Sequence, residues 1–394
     1  MRRNCLRKIN VRMRSKITYT MNRLQPILTA IILSLFILVP FNASHAQGKD
    51  KMEKELNKII AFDAEIDFNK VPGMVIGIIQ GDSTYIYGYG SLSKDKDVIP
   101  RNNSIFELGG ITKVFTASLV ELLVEEGLMD YNASLNEYLP AAIVNDKSAI
   151  TLLEAISHTG GFPRLPHGIG KREREANNPY AYYAKSDLHE FYKNYYPIEE
   201  EKRYQYSHVT YAMIETAIEN ITGQRFEEVL NERLIEPMGL TDTNIRLSEE
   251  QKSRLSNGYN ILGKQTRPWR FSSFKGSVGM KSTVLDMISF LKLQMGEGNP
   301  ALAASFTDMH EPVYKTDLAK NNFISKGWHV IKKRNHSIVL HAGSTSGHQA
   351  FAGFVKETNT GVVILSNSEN STNSLGYLIL RSINQNWKKP KSKS

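Results

Sequence analysis

The sequence predicts one discontinuous α/β domain in which a helical insertion interrupts a sheet. Runs of β-favouring apolar residues occur towards both ends of the chain, and helical patterns of apolar residues occupy the middle. Neither an internal repeat nor a low-complexity linker separates them. The chain has 394 residues, 41% of them hydrophobic, which is ample for a large core.

The first 46 residues carry the features of a secretory signal. Eight basic residues and no acidic residue occur there, an apolar run extends from Ile27 to Phe41, and small residues precede the expected cleavage after Ala46. We therefore expect a signal peptide over 1–46 and a periplasmic or secreted protein, with translation starting at Met1 or Met21. An uncleaved membrane anchor is the competing interpretation. The short, proline-flanked apolar run favours cleavage and no stable membrane span afterwards.

Charge and cysteine content exclude several classes of function. Removing the eight basic residues of the signal from the formal charge of +9 leaves +1 for the mature chain. The basic tail at 389–394 adds to the high pI of 9.3, so we expect no nucleic-acid partner. Cys5, the single cysteine, leaves with the signal. The mature chain then has no disulfide, no thiol nucleophile and no thiolate metal site.

A helix and a hairpin are predicted at the start of the mature chain. Apolar residues at helical spacing predict a helix over Lys51–Ala61. Two β-rich runs follow, Gly73–Gln80 and Ser83–Tyr89, with the turn residues Gly81-Asp82 between them. Two adjacent apolar strands indicate a sheet covered by helices.

The rest of the chain alternates between helical and strand patterns. A capping box at Thr151 and Glu154 starts one helix, Ser282 is expected to cap another, and Gly276–Met280 is expected to be a loop. Residues 164–200 are a polar excursion. The predicted helices are Lys113–Glu126, Thr151–Ile156, Asp187–Tyr195, Thr210–Thr222, Phe226–Ile235, Val284–Leu293 and Leu375–Asn386. The predicted strands are Gly327–Ile331, Ser337–Leu340, Gln349–Val355 and Gly361–Ser366.

These elements give the predicted domain organisation. One domain covers 47–388, with an α/β part formed by 47–108 and 275–388 and a helical part formed by 109–274.

The segment around Gly110 and Lys113 is the first candidate site. A serine at position 110 would lie one helical turn from the Lys113 ammonium, which could help to remove its proton. Glycine stands there instead. Thr112 cannot replace the serine simply, because two residues along a helix turn the side chain by about 200°.

Two further segments carry candidate chemistry. Tyr206 and His208 face one cleft if their backbone is extended, and a tyrosine whose pKa is lowered by cations can act as a general base. Otherwise this is a tyrosine-rich surface loop. His341, followed by Gly343 and Ser344 between two strands, can line a site that a ligand approaches closely.

A metal site is the alternative interpretation of the histidines. It would use His336, His341 and His348, together with His158. Their spacings match no helical or hairpin ligand pair, and no acidic residue accompanies them. We therefore predict no metal.

Three motifs, in order and spacing, resemble those of the serine β-lactamase-like family. They are Phe106–Lys113, with Gly110 in place of the serine, then Tyr206-Ser207-His208, and then His341-Ala342-Gly343. The family includes class C β-lactamases, D-alanyl-D-alanine carboxypeptidases, D-aminopeptidases and related esterases. The resemblance implies a β-lactamase/transpeptidase-like α/β (α+β) fold, with an antiparallel sheet flanked by helices beside a helical subdomain.

The resemblance also implies roles for individual residues. The nucleophile position falls on Gly110, the family's lysine on Lys113, its tyrosine base on Tyr206 and the start of its third motif on His341. The implied reaction is acylation followed by hydrolytic deacylation, without a cofactor.

The same resemblance implies ligand-binding roles, and it shows one further difference between this sequence and the family pattern. The backbone N–H groups of Gly110 and Ser344 would form the oxyanion hole, and Gly343 would lie beside the ligand. His208 replaces the family's asparagine, which positions the substrate and the lysine.

Two functions are therefore open from the sequence. One is hydrolysis of an amide or ester bond in a peptidoglycan-like peptide, a D-amino-acid peptide, a β-lactam or an ester, impaired here by Gly110. The other is a catalytically silent periplasmic binding or regulatory protein that keeps the cleft for a small-molecule or peptide ligand. The sequence does not indicate the oligomeric state.

Overall fold

The computed structural model describes residues 48–64, 66–170, 178–197, 203–385 and 387. The described residues fall into two units, 48–57 and 58–387. The described residues of the first unit, 48–57, are helical. The candidate site lies wholly in the second unit. The predicted signal peptide over 1–46 and the basic tail at 389–394 lie outside the described residues.

Eleven α-helices are found among the described residues. Helical turns of wider pitch, Ile59–Asp63 and Asn231–Ile235, extend the first and sixth of them. The helices are α1 (48–58), α2 (Thr112–Glu125), α3 (Leu152–Ile156), α4 (Lys185–Asn194), α5 (Val209–Thr222), α6 (Phe226–Leu230), α7 (Glu249–Ser253), α8 (Lys275–Val278), α9 (Val284–Met295), α10 (Pro300–Ser305) and α11 (Asn373–Asn384).

An antiparallel sheet forms the other half of the fold. The described strands are β1 (Gly73–Gln80), β2 (Ser83–Gly90), β3 (Ile105–Glu107), β4 (Gly258–Tyr259), β5 (Gln265–Thr266), β6 (Lys281–Thr283), β7 (Tyr314–Lys315), β8 (Asn322–Ile324), β9 (His329–Lys332), β10 (Ser337–Ser344), β11 (Gln349–Val355) and β12 (Thr360–Ser366). Eight of them form one sheet in the order β2-β1-β12-β11-β10-β9-β8-β7. β1, from the N-terminal part of the described chain, pairs with β12, from its C-terminal part, so strands distant in sequence lie side by side in the sheet.

Helices cover both faces of this sheet. Gly77 and Phe351 point to opposite faces, as the pairing of β1 and β11 with β12 requires. Gly77 lies against Val284 and Ile288 of α9, whereas Phe351 lies against Gly376 of α11. The central strands are buried on both sides, which explains why their sequences read as continuous apolar runs.

Most predicted elements are present, with small shifts at their ends. The hairpin, the helix that contains Lys113 and the closing helix are confirmed, as is the capping box, in which the Thr151 side chain accepts from the Glu154 N–H. The domain bounds 47–388, 47–108, 275–388 and 109–274 stay a prediction.

Three local predictions are wrong. The cap of α9 is Thr283, whose side chain accepts from the Asp286 N–H, whereas Ser282 lies in β6. The expected loop Gly276–Met280 is largely the short helix α8. Strand β10 continues to Ser344. His341 therefore lies within a strand, because strand pairing with β11 persists through Gly343 and Ser344.

No helix among the described residues has the length and apolar character needed to cross a membrane.

The sheet and the start of α2 meet through their backbones. A Cβ atom on Gly343 would lie 1.9 Å from the Leu108 carbonyl oxygen and 2.7 Å from the Gly110 nitrogen. Only glycine allows β10 to approach this closely, because neither backbone can move aside independently.

We predict that Gly343→Ala lowers the free energy of unfolding by about 3 kcal/mol, or prevents folding, because the methyl group must push two backbones apart. Urea unfolding measures the effect. Ser337→Ala, at the half-buried start of the same strand, is the control and should change the value by less than about 0.5 kcal/mol. Equal stability of the two variants would contradict the prediction.

Candidate functional site

Gly110 and Lys113 lie at the turn that leads into α2. Residues Gly109–Ile111 form a 3₁₀ turn, and α2 begins at Thr112. The Thr112 hydroxyl donates to the Gly109 carbonyl at 2.7 Å and accepts from the Met280 N–H at 3.0 Å. Thr112 therefore faces away from the site, as its helical position predicts.

The Lys113 side chain is fully buried, with an exposed fraction of 0%. Its Nζ donates to the Ser277 carbonyl at 3.0 Å, lies 3.4 Å from His208 Nδ1, and stands 4.7 Å from the centre of the Tyr206 ring. Burial, with a smaller effect of the Arg164 charge, lowers the pKa of Lys113 well below its ordinary value. Lys113 can therefore hold a neutral amine that accepts a proton.

Tyr206 and His341 form a hydrogen-bonded pair beside Gly110. The Tyr206 Oη lies 3.3 Å from His341 Nε2, and His341 Nδ1 lies 2.9 Å from the Gly327 carbonyl oxygen. A carbonyl only accepts, so Nδ1 carries the proton and Nε2 accepts from the Tyr206 hydroxyl. Burial lowers the pKa of His341 well below its ordinary value, which keeps the ring neutral.

The expected phenolate form of Tyr206 is not favoured in this structure. Burial raises the pKa of Tyr206, and the nearby Arg164 guanidinium offsets only part of that effect. That expectation assumed that nearby cations determine the pKa of Tyr206. Instead, desolvation of the half-buried phenol raises its pKa more than the Arg164 charge lowers it. Lys113 is the better proton acceptor here.

The Tyr206 hydroxyl occupies space that a side chain at position 110 would need. A Cβ atom on Gly110 would lie 2.7 Å from Tyr206 Oη and 3.1 Å from the Ala342 carbonyl oxygen, with His341 Nε2 at 3.5 Å. Real Cβ atoms do not approach an oxygen as closely as the first distance. A side chain at position 110 would therefore require the Tyr206 hydroxyl to shift.

His208 contacts the Lys113 side chain. Its Nδ1 lies 3.4 Å from Lys113 Nζ and 3.2 Å from Ser277 Oγ. Burial and the Lys113 charge lower the pKa of His208 well below its ordinary value. A neutral imidazole can accept one hydrogen bond through Nδ1 from either neighbour.

The other predicted ligand-binding residues lie at the rim of the same site. Gly343 is buried against Leu108 and Gly110, and the next residue, Ser344, is exposed. The Ser344 hydroxyl accepts from Gln349 Nε2 at 2.9 Å. Gly110, Lys113, Tyr206, His208, His341, Gly343 and Ser344 are thus brought together by three separate parts of the chain.

The histidines considered for a metal do not form a ligand set. Among the described residues, no three His, Cys, Asp or Glu side chains are grouped closely enough to hold a metal ion. His348 lies 3.4 Å from the buried carboxylate of Glu107, and His158 Nδ1 accepts from the Ser207 N–H at 3.1 Å.

Sequence reasoning missed three residues of the site. Ser277 contacts both Lys113 and His208. His329 Nε2 lies 3.2 Å from the Tyr204 hydroxyl oxygen. The Arg164 guanidinium lies 5.4 Å from the centre of the Tyr206 ring. In the sequence, only the glycine-rich stretch before Met280 indicated that Ser277 could lie at the site. No local pattern marked Arg164 or His329.

Comparisons with known proteins agree with this geometry. The Beta-lactamase family model matches residues 61–381. This chain belongs to the β-lactamase family. A β-lactamase of Providencia stuartii is 23% identical over 333 residues, covering 76% of this chain and 83% of the relative. Protein flp of Staphylococcus aureus strain N315 is 22% identical over 326 residues, covering 80% of this chain and 63% of the relative.

Solved structures show the same fold. A class C β-lactamase from Rhodobacter sphaeroides superposes with a TM-score of 0.71 at 19% identity, covering 82% of this chain and 97% of that one. A D-alanine carboxypeptidase from Burkholderia cenocepacia gives 0.71 at 21% identity, covering 84% and 99%. Membership of the serine β-lactamase-like family and the β-lactamase/transpeptidase-like fold are confirmed.

The closure of Tyr206 onto Gly110 predicts energetic coupling between them. Gly110→Ala adds the Cβ atom that the hydroxyl opposes, and Tyr206→Phe removes that hydroxyl. We predict that the cost of Gly110→Ala falls by roughly 1 kcal/mol in the Tyr206→Phe background. A double-mutant cycle of urea unfolding measures this, and additive effects of the two changes would contradict it.

The neutral buried histidines predict a loss of stability in acid. His158, His208 and His341 have lowered pKa values because they are buried, whereas in the unfolded chain each protonates near roughly 6.5. Below that pH the unfolded state binds more protons. Stability is therefore lost as the pH falls, by up to about 1.4 kcal/mol per pH unit for each histidine.

Urea unfolding between pH 7.5 and 5 tests this slope. His208→Asn removes one of the buried neutral histidines, so below pH roughly 6.5 its slope should be shallower by up to about 1.4 kcal/mol per pH unit. Identical slopes for the two proteins would show that His208 is not held neutral.

Proposed function

We propose that this member of the β-lactamase family binds an acyl ligand in the Gly110 cleft and forms no acyl-enzyme. The observation that carries the proposal is Gly110 itself, since it stands beside Lys113 and Tyr206 without a hydroxyl. Loss of the covalent nucleophile from a serine hydrolase leaves only a residual acceleration, on the order of 10³–10⁴ over water.

The remaining machinery supports retention of a ligand cleft. Tyr206 lies in ring contact with Lys113 and within hydrogen-bond distance of His341. In the proposal, Lys113 and Tyr206 take the places of the family's proton-transfer residues, and His341 orients Tyr206. The N–H groups of Gly110 and Ser344 hold the ligand carbonyl, with Gly343 and His208 beside it.

The class of ligand follows from the family. Relatives include proteins named β-lactamase and D-alanine carboxypeptidase, which supports a ligand with an amide or ester bond. Candidates are a peptidoglycan-like peptide, a D-amino-acid peptide, a β-lactam or a simple ester. No cofactor takes part in this proposal, and a signal peptide over 1–46 would deliver the protein to the periplasm or the medium.

Gly110→Ser tests whether the missing serine alone silences the chemistry. We predict that the natural protein turns over neither an activated ester nor a fluorescent penicillin at an enzymatic rate. The serine variant should gain the mass of the acyl group and hydrolyse the ester at least 100-fold faster, because covalent catalysis supplies most of the acceleration in this chemistry. Intact mass and stopped-flow turnover measure both.

Gly110→Ala is the matched control, since it adds the same Cβ atom without a hydroxyl. It should disturb Tyr206 equally and gain no activity. Enzymatic turnover by the natural protein would contradict the proposal and show that another group performs the chemistry. Equal activity of the serine and alanine variants would show that a nucleophile at position 110 is irrelevant.

A further inference from the structure

Arg164 presents a positive charge at the site that takes part in no ion pair within the described part of the chain. Its side chain is exposed, and its guanidinium lies over the Tyr206 ring with 5.4 Å to the ring centre. Among the described residues, no carboxylate lies within ion-pair distance of it. The stacking contact leaves the N–H groups along the edge of the guanidinium free to bind a ligand.

The backbone fixes this position. The Arg164 carbonyl accepts from the His208 N–H at 2.9 Å, and the Ser207 hydroxyl donates to the Pro163 carbonyl at 2.9 Å. Residues 163–164 are therefore tied to the segment that carries Tyr206 and His208. The arginine is placed by the same contacts that place the site.

The charge of Arg164 acts on several groups of the site. Burial raises the pKa values of Tyr180, Tyr204 and Tyr206, and the Arg164 charge opposes that effect at all three phenols. The same charge lowers the pKa of Lys113 further. Lys113 and His341 are held neutral by burial, so neither supplies the cleft with a full positive charge.

We infer that Arg164 is the anion-binding residue of the cleft, and that the ligand carries a carboxylate held by its guanidinium. A guanidinium and a carboxylate form paired, charge-assisted hydrogen bonds, which select for charge and for planar geometry. Arg164 thereby determines specificity for acidic over neutral ligands. This inference rests on the proposed function, because it places the ligand in the Gly110 cleft.

Benzylpenicillin and its methyl ester test the inference, because they differ only in the carboxylate. Calorimetric titration of the natural protein, Arg164→Gln and Arg164→Lys gives the dissociation constants. We expect Arg164→Gln to weaken benzylpenicillin binding roughly 10- to 100-fold and to leave ester binding unchanged. Arg164→Lys keeps the charge but not the planar fork, so its loss should be smaller.

Arg334→Gln is the control for net charge. Arg334 is exposed in the turn between β9 and β10, at the end of β10 opposite Ser344, and its loss should leave both constants unchanged. Salt should weaken the binding of benzylpenicillin more than that of the ester. Circular dichroism and thermal unfolding check that each variant is folded.

The outcomes separate this inference from the proposed function. Suppose that the ester binds to the natural protein, and that Arg164→Gln either weakens the binding of both ligands equally or changes the binding of neither. The anion-binding role of Arg164 is then overturned, and the proposal that the protein binds an acyl ligand stands. If neither penicillin binds but benzoate binds more tightly than benzamide and depends on Arg164, the anion-binding role stands and the acyl-ligand proposal fails. If benzoate also fails to bind, both are overturned.

Discussion

The contact between the Gly343 backbone and the Leu108–Gly110 backbone is the constraint on which the site depends. It joins a central strand of the sheet to the turn that starts α2. Because the two backbones touch directly, the register of β10 fixes where His341 lies relative to Lys113. A Cβ atom at position 343 would lie 1.9 Å from the Leu108 carbonyl oxygen, so the two backbones would have to move apart.

Burial, rather than neighbouring charge, determines which basic groups of the site are protonated. Lys113, His208 and His341 are basic groups with almost no exposed surface, and no acidic side chain is bonded to any of them among the described residues. Desolvation disfavours their charged forms. The site therefore holds several proton acceptors and the phenolic donor Tyr206 around Gly110, which has no side-chain proton to give.

The sequence predicted the parts of this arrangement that depend on periodicity and on linear motifs. Helix α2, the β1–β2 hairpin and the capping box at Thr151 follow from local patterns, and three motifs indicated the family. Residues that reach the site through the fold alone were not predictable. Arg164 lies over Tyr206 because two backbone segments are tied together, which no spacing in the sequence reveals. The dominance of burial over charge at Tyr206 likewise depends on packing that only the folded chain specifies.

The full burial of Lys113 costs folding free energy, so its presence in the site requires a reason other than stability. Taking an amine out of water without a carboxylate partner costs several kcal/mol or shifts its pKa, and Lys113 is bonded only to a carbonyl and an imidazole. An apolar side chain of similar length would fill the same space without that cost. Stability therefore does not explain Lys113. Under the proposed function no acyl-enzyme forms at Gly110, and a ligand that accepts a hydrogen bond from the amine and contacts Arg164 is our proposed reason for both residues.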